Sequence, residues 1–245
     1  MFAQKIDNIR EKTEIVILPE MFNTGFTMEA EKFAETMDGE TVNWMKEIAA
    51  KKRIILTGSL IISEKDSQSG EMQYFNRMIW MLPNGQYGHY DKRHRFAYAG
   101  EDRDFTAGKK RLIASVKGWK VNLIVCYDLR FPVWIRQSPE GEEPEYDLLI
   151  CVANWPDRRA NAWKTLLQAR AIENQCFVAG VNRVGVDGKG HNYSGDSMVI
   201  DPLGEILYSK TGEEDVNTIM LEKDRVEVVR KSLPFWKDRD NFLIN

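Results

Sequence analysis

Residues 147–182 read DLLICVANWPDRRANAWKTLLQARAIENQCFVAGVN. The runs 147–153 and 176–182 are apolar on both faces, as strands are when layers cover them on either side. Between them, 159–175 places Trp163, Leu166, Leu167 and Ala171 at the spacing of an amphipathic helix. Strand, helix and strand in succession specify an α/β protein.

The same grammar extends outward. Strand-like runs recur as TEIVIL at 13–18, RIILTGSLII at 53–62, YFNRMIWML at 74–82 and VNLIVC at 121–126, with a helical pattern, ETVNWMKEIAAKKR, at 40–53. Pro83-Asn84-Gly85 lies between two strand-like runs, and Pro202-Leu203-Gly204 lies between 198–201 and 205–208. Both read as hairpin turns, so the sheets are expected to be mixed. No repeat or low-complexity linker interrupts the chain, and a single domain over 1–245 is expected.

With 245 residues, 43% of them hydrophobic, the chain is long enough to bury a full core. Its 34 basic and 37 acidic residues are spread evenly, giving a net charge of −3 and no basic arm for nucleic acid. No stretch approaches the roughly 20 apolar residues of a membrane span, and the opening MFAQKIDNIREK lacks the apolar centre of a secretory signal. A soluble cytoplasmic protein is expected, with neither nucleic acid nor membrane as partner. Three cysteines, an odd number, argue against a disulfide framework. The cysteines are not closely paired, and the three histidines form no H-E-x-x-H, so no metal site is expected.

Three segments carry chemistry. The apolar run Ile15-Val16-Ile17-Leu18 ends at Pro19 and delivers Glu20, a carboxylate whose partial desolvation would favour the protonated form. The alternative is a solvated acid at a strand end. Tyr90-Asp91-Lys92-Arg93-His94 follows a strand starting near Gln86, and Lys92 is placed to clamp an oxyanion, unless the basic cluster is simply a solvated loop. In Val121–Pro132 an apolar strand stops at Cys126 and polar residues take over, which puts a thiol at a strand-to-helix bend beside backbone N–H groups. A buried core cysteine is the alternative there, and it is the preferred reading of Cys151 and Cys176.

Taken together, L-P-E-M-F at 18–22, Y-D-K-R-H at 90–94 and C-Y-D-L-R-F-P at 126–132 resemble the nitrilase superfamily of carbon–nitrogen hydrolases. The likeness runs from about Glu14 onward and includes Ala153-Asn154-Trp155-Pro156, Ala169–Gln175 and Tyr193–Ser197. Motif wording is similar to the omega-amidase branch, which hydrolyses the terminal amide of α-ketoglutaramate and α-ketosuccinamate. The resemblance implies an α-β-β-α four-layer sandwich that dimerises through its helices. It implies Glu20 as general base, Lys92 as oxyanion-stabilising lysine and Cys126 as nucleophile, with the Tyr127 backbone N–H as a second oxyanion donor and no cofactor. A second family glutamate matches Glu101 best, with Asp102 and Asp104 as alternatives. Family members usually open with a strand before the first helix, whereas Met1–Ile9 here resembles the middle of that helix. Either the start lies upstream or the sheet forgoes an element.

The implied partners are a small amide and water, with a dicarboxylate-derived amide needing a cation for its free carboxylate. Asn154, Trp155 and Arg158 are the expected substrate-binding residues, and Arg159 and Arg183 are further candidates for the cation. Arg130 is expected in a structural ion pair with Asp128 or Glu173. Three rival readings share the chain: another amide or N-carbamoyl substrate, a papain-like hydrolase using His94, and an inactive interaction module that keeps the fold.

Overall fold

The computed structural model describes residues 1–137, 143–240 and 242. The chain divides into two compact units, Met1–Leu112 with Asp215–Thr218, and Ile113–Glu214 with Ile219–Asn245.

The first unit runs α1 (Phe2–Asp7), β1 (Ile15–Ile17), α2 (Ala30–Phe33), α3 (Glu40–Lys52), β2 (Ile55–Lys65), β3 (Met72–Met81), β4 (Tyr87–Asp91) and α4 (Glu101–Asp104). Its sheet has the order β1-β2-β3-β4, with β1 parallel to β2 and the rest antiparallel. Helix α3 forms because Val42, Met45, Ile48 and Ala49 recur on one stripe, which is buried. Glu40 in its first turn and Lys51 and Lys52 in its last complement the helix dipole. Arg53 ends the helix in the left-handed conformation at φ 56°. The stripe packs with Ile6, Leu18, Leu56, Leu60, Ile62, Ile79 and Met81, each such side chain contributing about 1.5–3 kcal/mol by leaving water. The turn at Pro83-Asn84-Gly85 joins β3 to β4, as expected, with Gly85 at φ 81°.

The second unit runs β5 (Ile113–Val116), β6 (Trp119–Val125), α5 (Pro132–Ile135), β7 (Leu148–Ala153), α6 (Ala160–Asn174), β8 (Phe177–Asn182), β9 (Val184–Val186), β10 (Asn192–Ile200), β11 (Ile206–Thr211) and α7 (Lys223–Ser232). Its seven-stranded sheet follows β11-β10-β8-β7-β6-β5, with β9 on β10. Strands β6, β7 and β8 are parallel, whereas β5, β10 and β11 join antiparallel. The mixed sheets expected from the turn chemistry are therefore present in both units. All six residues of β7 are buried. Helix α6 lies close on β8, since a Cβ at Gly180 would meet Leu167 Cδ1 at 2.5 Å and Trp163 at 3.0 Å.

Strand β5 and helix α7 had no sequence expectation. Strand β5 enters through a two-residue hairpin in which Lys117 (φ 46°) and Gly118 (φ 80°) are both left-handed, the geometry of a type I′ turn. Helix α7 buries only Val226 and Val229, and Arg230 fastens it by donating to Gln175 O (2.9 Å), Asp147 Oδ1 (2.9 Å) and Tyr146 O (2.6 Å). Among the described residues no helix is long and apolar enough to cross a membrane.

Candidate active site

Strand β1 ends at Ile17, but the chain keeps following β2. Leu18 N–H donates to Thr57 O at 2.7 Å, Met21 N–H to Ser59 Oγ at 2.9 Å and Phe22 N–H to Ser59 O at 3.3 Å. Glu20 sits in this tethered turn and is 1% exposed, so it is not the solvated acid that a strand end usually carries. Gly58 permits the turn to lie so close, because a Cβ there would meet Leu18 Cβ at 2.8 Å. On the opposite side of the sheet, Lys92 continues the register of β4, its N–H donating to Asn76 O at 3.0 Å. Its side chain is 1% exposed, not a solvated loop lysine.

These residues meet. Lys92 Nζ donates to Glu20 Oε1 at 3.0 Å and to both oxygens of Glu101, Oε1 at 2.9 Å and Oε2 at 2.8 Å. Glu101 is fully buried and also accepts from the Phe96 backbone N–H. The structure thus brings Glu101 to Lys92, whereas the alternatives Asp102 and Asp104 are exposed. Two carboxylates about one ammonium form an ion cluster that, out of water, holds only because each charge is answered by hydrogen bonds. Asn76, in the middle of β3, completes it through Nδ2, which donates to Glu20 Oε1 at 2.8 Å and to Glu101 Oε1 at 3.4 Å. Sequence reasoning missed Asn76. The available signal was a lone amide inside the apolar run YFNRMIWML.

In the second unit, β6 ends at Val125 and Cys126 opens a 3-10 turn, Cys126–Arg130. Cys126 adopts φ 47°, a left-handed conformation that strains a residue bearing a Cβ. The bend is fastened by Val125 N–H donating to Asp128 Oδ2 at 3.1 Å. Cys126 is partly exposed, while Cys151 in β7 and Cys176 just before β8 are buried. Burial pushes the Cys176 thiol up to about 12. Tyr127 follows directly, its ring edge-on to Phe131 at 5.1 Å.

Beyond β7, Asn154 and Trp155 are buried and Arg158 is exposed. Asn182 holds Trp155 from both sides, accepting from its N–H at 2.8 Å and donating to its carbonyl at 2.9 Å. Arg130 is not in the expected ion pair. The Asp128 carboxylate accepts from Val125, Glu173 pairs with Arg170 at 3.1 Å, and the Arg130 guanidinium instead stacks 4.7 Å from the Trp155 ring. Arg183 stacks likewise on Tyr193 at 4.7 Å. Among the described residues no group of three His, Cys, Asp or Glu side chains is disposed to hold a metal.

The profile of the carbon–nitrogen hydrolase family matches residues 3–231. The chain belongs to that family. This carbon–nitrogen hydrolase is 40% identical to omega-amidase YafV of Escherichia coli over 98% of its own length and 90% of the relative's. It is 30% identical to 2-oxoglutaramate amidase of Bacillus subtilis, over 95% and 87%. Among solved structures it resembles a carbon–nitrogen hydrolase superfamily protein of Xanthomonas campestris bearing an arsenic adduct in its active site. That match has a TM-score of 0.93 and 43% identity, covering 100% of this chain and 91% of that one. Saccharomyces cerevisiae Nit3 shares the fold at a TM-score of 0.81 and 24% identity, over 95% and 85%. The nitrilase-type α/β fold expected from the motifs is thereby the fold of this carbon–nitrogen hydrolase.

Proposed function

We propose that the protein hydrolyses the terminal amide of a small ω-amide of a dicarboxylic acid, such as α-ketoglutaramate or α-ketosuccinamate, releasing ammonia and the carboxylate through a thioester on Cys126. The observation that carries this reading is the buried cluster of Lys92 with Glu20 and Glu101, three ionisable side chains each no more than 1% exposed. Packing alone would be served as well by apolar residues of similar volume. The omega-amidase and 2-oxoglutaramate amidase relatives support the substrate class.

In this mechanism Glu20 accepts the Cys126 thiol proton, and the sulfur forms a bond to the amide carbon. The carbonyl electron pair moves onto oxygen, and Lys92 and the Tyr127 N–H stabilise the resulting oxyanion. Collapse of the intermediate breaks the C–N bond, and the proton held by Glu20 goes to the departing ammonia. Water then attacks the thioester, with Glu20 taking its proton, and the carboxylate leaves as the thiol reforms. Glu101 and Asn76 act as positioning residues by holding Lys92 and Glu20.

Ammonia release from α-ketoglutaramate, compared with release from N-carbamoyl amino acids and simple nitriles, tests the proposal. The ω-amide should be the best substrate, and Cys126→Ala should abolish its turnover while the protein remains folded. Faster turnover of an N-carbamoyl substrate, or activity surviving in the alanine variant, would overturn it.

A further inference from the structure

A dicarboxylate ω-amide carries its distal charge a few bonds from the scissile carbon, so its cation must lie close to the nucleophile. In the parallel register Val125 of β6 is opposite Val152 of β7, and Ala153 is opposite Asn182 of β8. The segments that follow these strands therefore leave the same edge of the sheet, where ligands of parallel α/β sheets collect. Three arginines besides Arg130 follow β7 and β8. The Arg158 side chain is exposed, and Arg183 is engaged with the Tyr193 ring and the Val186 carbonyl.

Arg159 stands at the head of the helix that follows β7. Its backbone is pinned, the N–H donating to Pro156 O at 3.0 Å and the carbonyl accepting from Trp155 Nε1 at 2.9 Å. It stands at the start of α6, a helix of 15 residues whose N-terminal dipole adds positive potential. Its guanidinium is partly buried and within electrostatic reach of Cys126, Arg130, Arg158 and Tyr193. Burial first, and then the neighbouring Arg158 and Arg130 charges, lower its hold on its proton, against the opposite pull of Cys126 and Tyr193. An anion arriving there relieves a concentration of like charge. Arg130, its guanidinium 4.7 Å from the Trp155 ring centroid, adds its charge to that field.

We propose that Arg159 binds the distal carboxylate of the substrate and thereby selects dicarboxylate ω-amides over neutral amides. This assignment builds on the substrate class proposed above. The first experiment compares kcat/KM for α-ketoglutaramate and for pentanamide in wild type, Arg159→Gln and Arg159→Lys. Loss of a charge-assisted fork should lower the preference for the charged substrate roughly 10- to 100-fold in Arg159→Gln, mainly through KM, with partial recovery in Arg159→Lys. A parallel fall on both substrates, or a change in preference below about threefold, overturns the assignment.

A second readout needs no turnover. Glutarate should protect Cys126 from iodoacetamide, and the concentration giving half-protection should rise by a similar factor, roughly 10- to 100-fold, in Arg159→Gln. Absent or unaltered protection by glutarate refutes the role of Arg159. Arg159-dependent protection in an enzyme that releases no ammonia from the ω-amide upholds Arg159 as a dicarboxylate anchor and refutes the amide chemistry instead.

Discussion

Replacing Lys92 by methionine keeps a long unbranched stem in the packed site while deleting the charge. Lys92 Nζ makes three hydrogen bonds of 2.8–3.0 Å to Glu20 and Glu101, and the three side chains are at most 1% exposed. Without the ammonium, two buried carboxylates lose the Lys92 counter-charge, while Asn76 Nδ2 still donates to both and the Phe96 N–H to Glu101. Stranding a buried charge in this way costs about 3–5 kcal/mol. At about 2–4 °C per kcal/mol for a chain of this length, the melting temperature should fall by roughly 6–20 °C at pH 7. Adding Glu101→Gln removes one of the stranded charges, so the double variant should be more stable than the sum of the two single losses, by about 1–3 kcal/mol. Calorimetry and urea unfolding on the four proteins of this cycle give both quantities. A Lys92→Met protein melting within about 2 °C of wild type, or losses that simply add, would show that the cluster is not held by its charges.

Three further outcomes follow from the described geometry. Iodoacetamide at neutral pH should add once, at Cys126, because Cys151 and Cys176 are buried and the Cys176 thiol stays protonated up to about 12; peptide mapping that finds adducts on either of those would contradict their burial. At φ 47° alanine keeps the left-handed strain that glycine relieves, so Cys126→Gly should be more stable than Cys126→Ala by about 1–2 kcal/mol in urea titrations, and equal stabilities would argue against the strain. For Asp196, burial acts to raise its pKa, but hydrogen bonds from Ser194 and Thr211 and the Lys164 charge outweigh it and hold the carboxyl below its ordinary 3.8. Its stabilisation is complete above that value and is lost as pH falls through the depressed one, so the melting gap between wild type and Asp196→Asn should close below about pH 4; a gap constant to pH 2 would sink this account.

Where a single physical factor dominates, the sequence is transparent. The six residues of β7 are all buried and read as an unbroken apolar run, and α6 reads as a helix because Trp163, Leu167 and Ala171 share one buried stripe. The turns at Gly85 and Gly204 were legible because both glycines take positive φ. Helix α7 was not, since KDRVEVVRKS buries two valines and is held by Arg230, a long-range contact that leaves no periodicity. Glu20 and Lys92 were identified through motif resemblance, but their burial was hidden. A polar residue just past a strand is ordinarily solvated, and only the chain fold brings its counter-charge. Asn76 and the stacking of Arg130 on Trp155 share that difficulty, because both depend on partners far away in sequence.

The left-handed turn at Cys126 bears on how such a protein would age in evolution. An L-residue at φ 47° holds the local backbone against its own preference, a strain that glycine at the same position would relieve. A descendant that stopped depending on the proposed nucleophile would gain stability at once by drifting to glycine, whereas drift to serine or alanine would keep the strain and lose the thiol. The identity of residue 126 in a silent descendant would thus act as a dated record. Glycine there would mark a lineage long released from catalysis, and a retained cysteine would mark one in which selection still holds the bend in place.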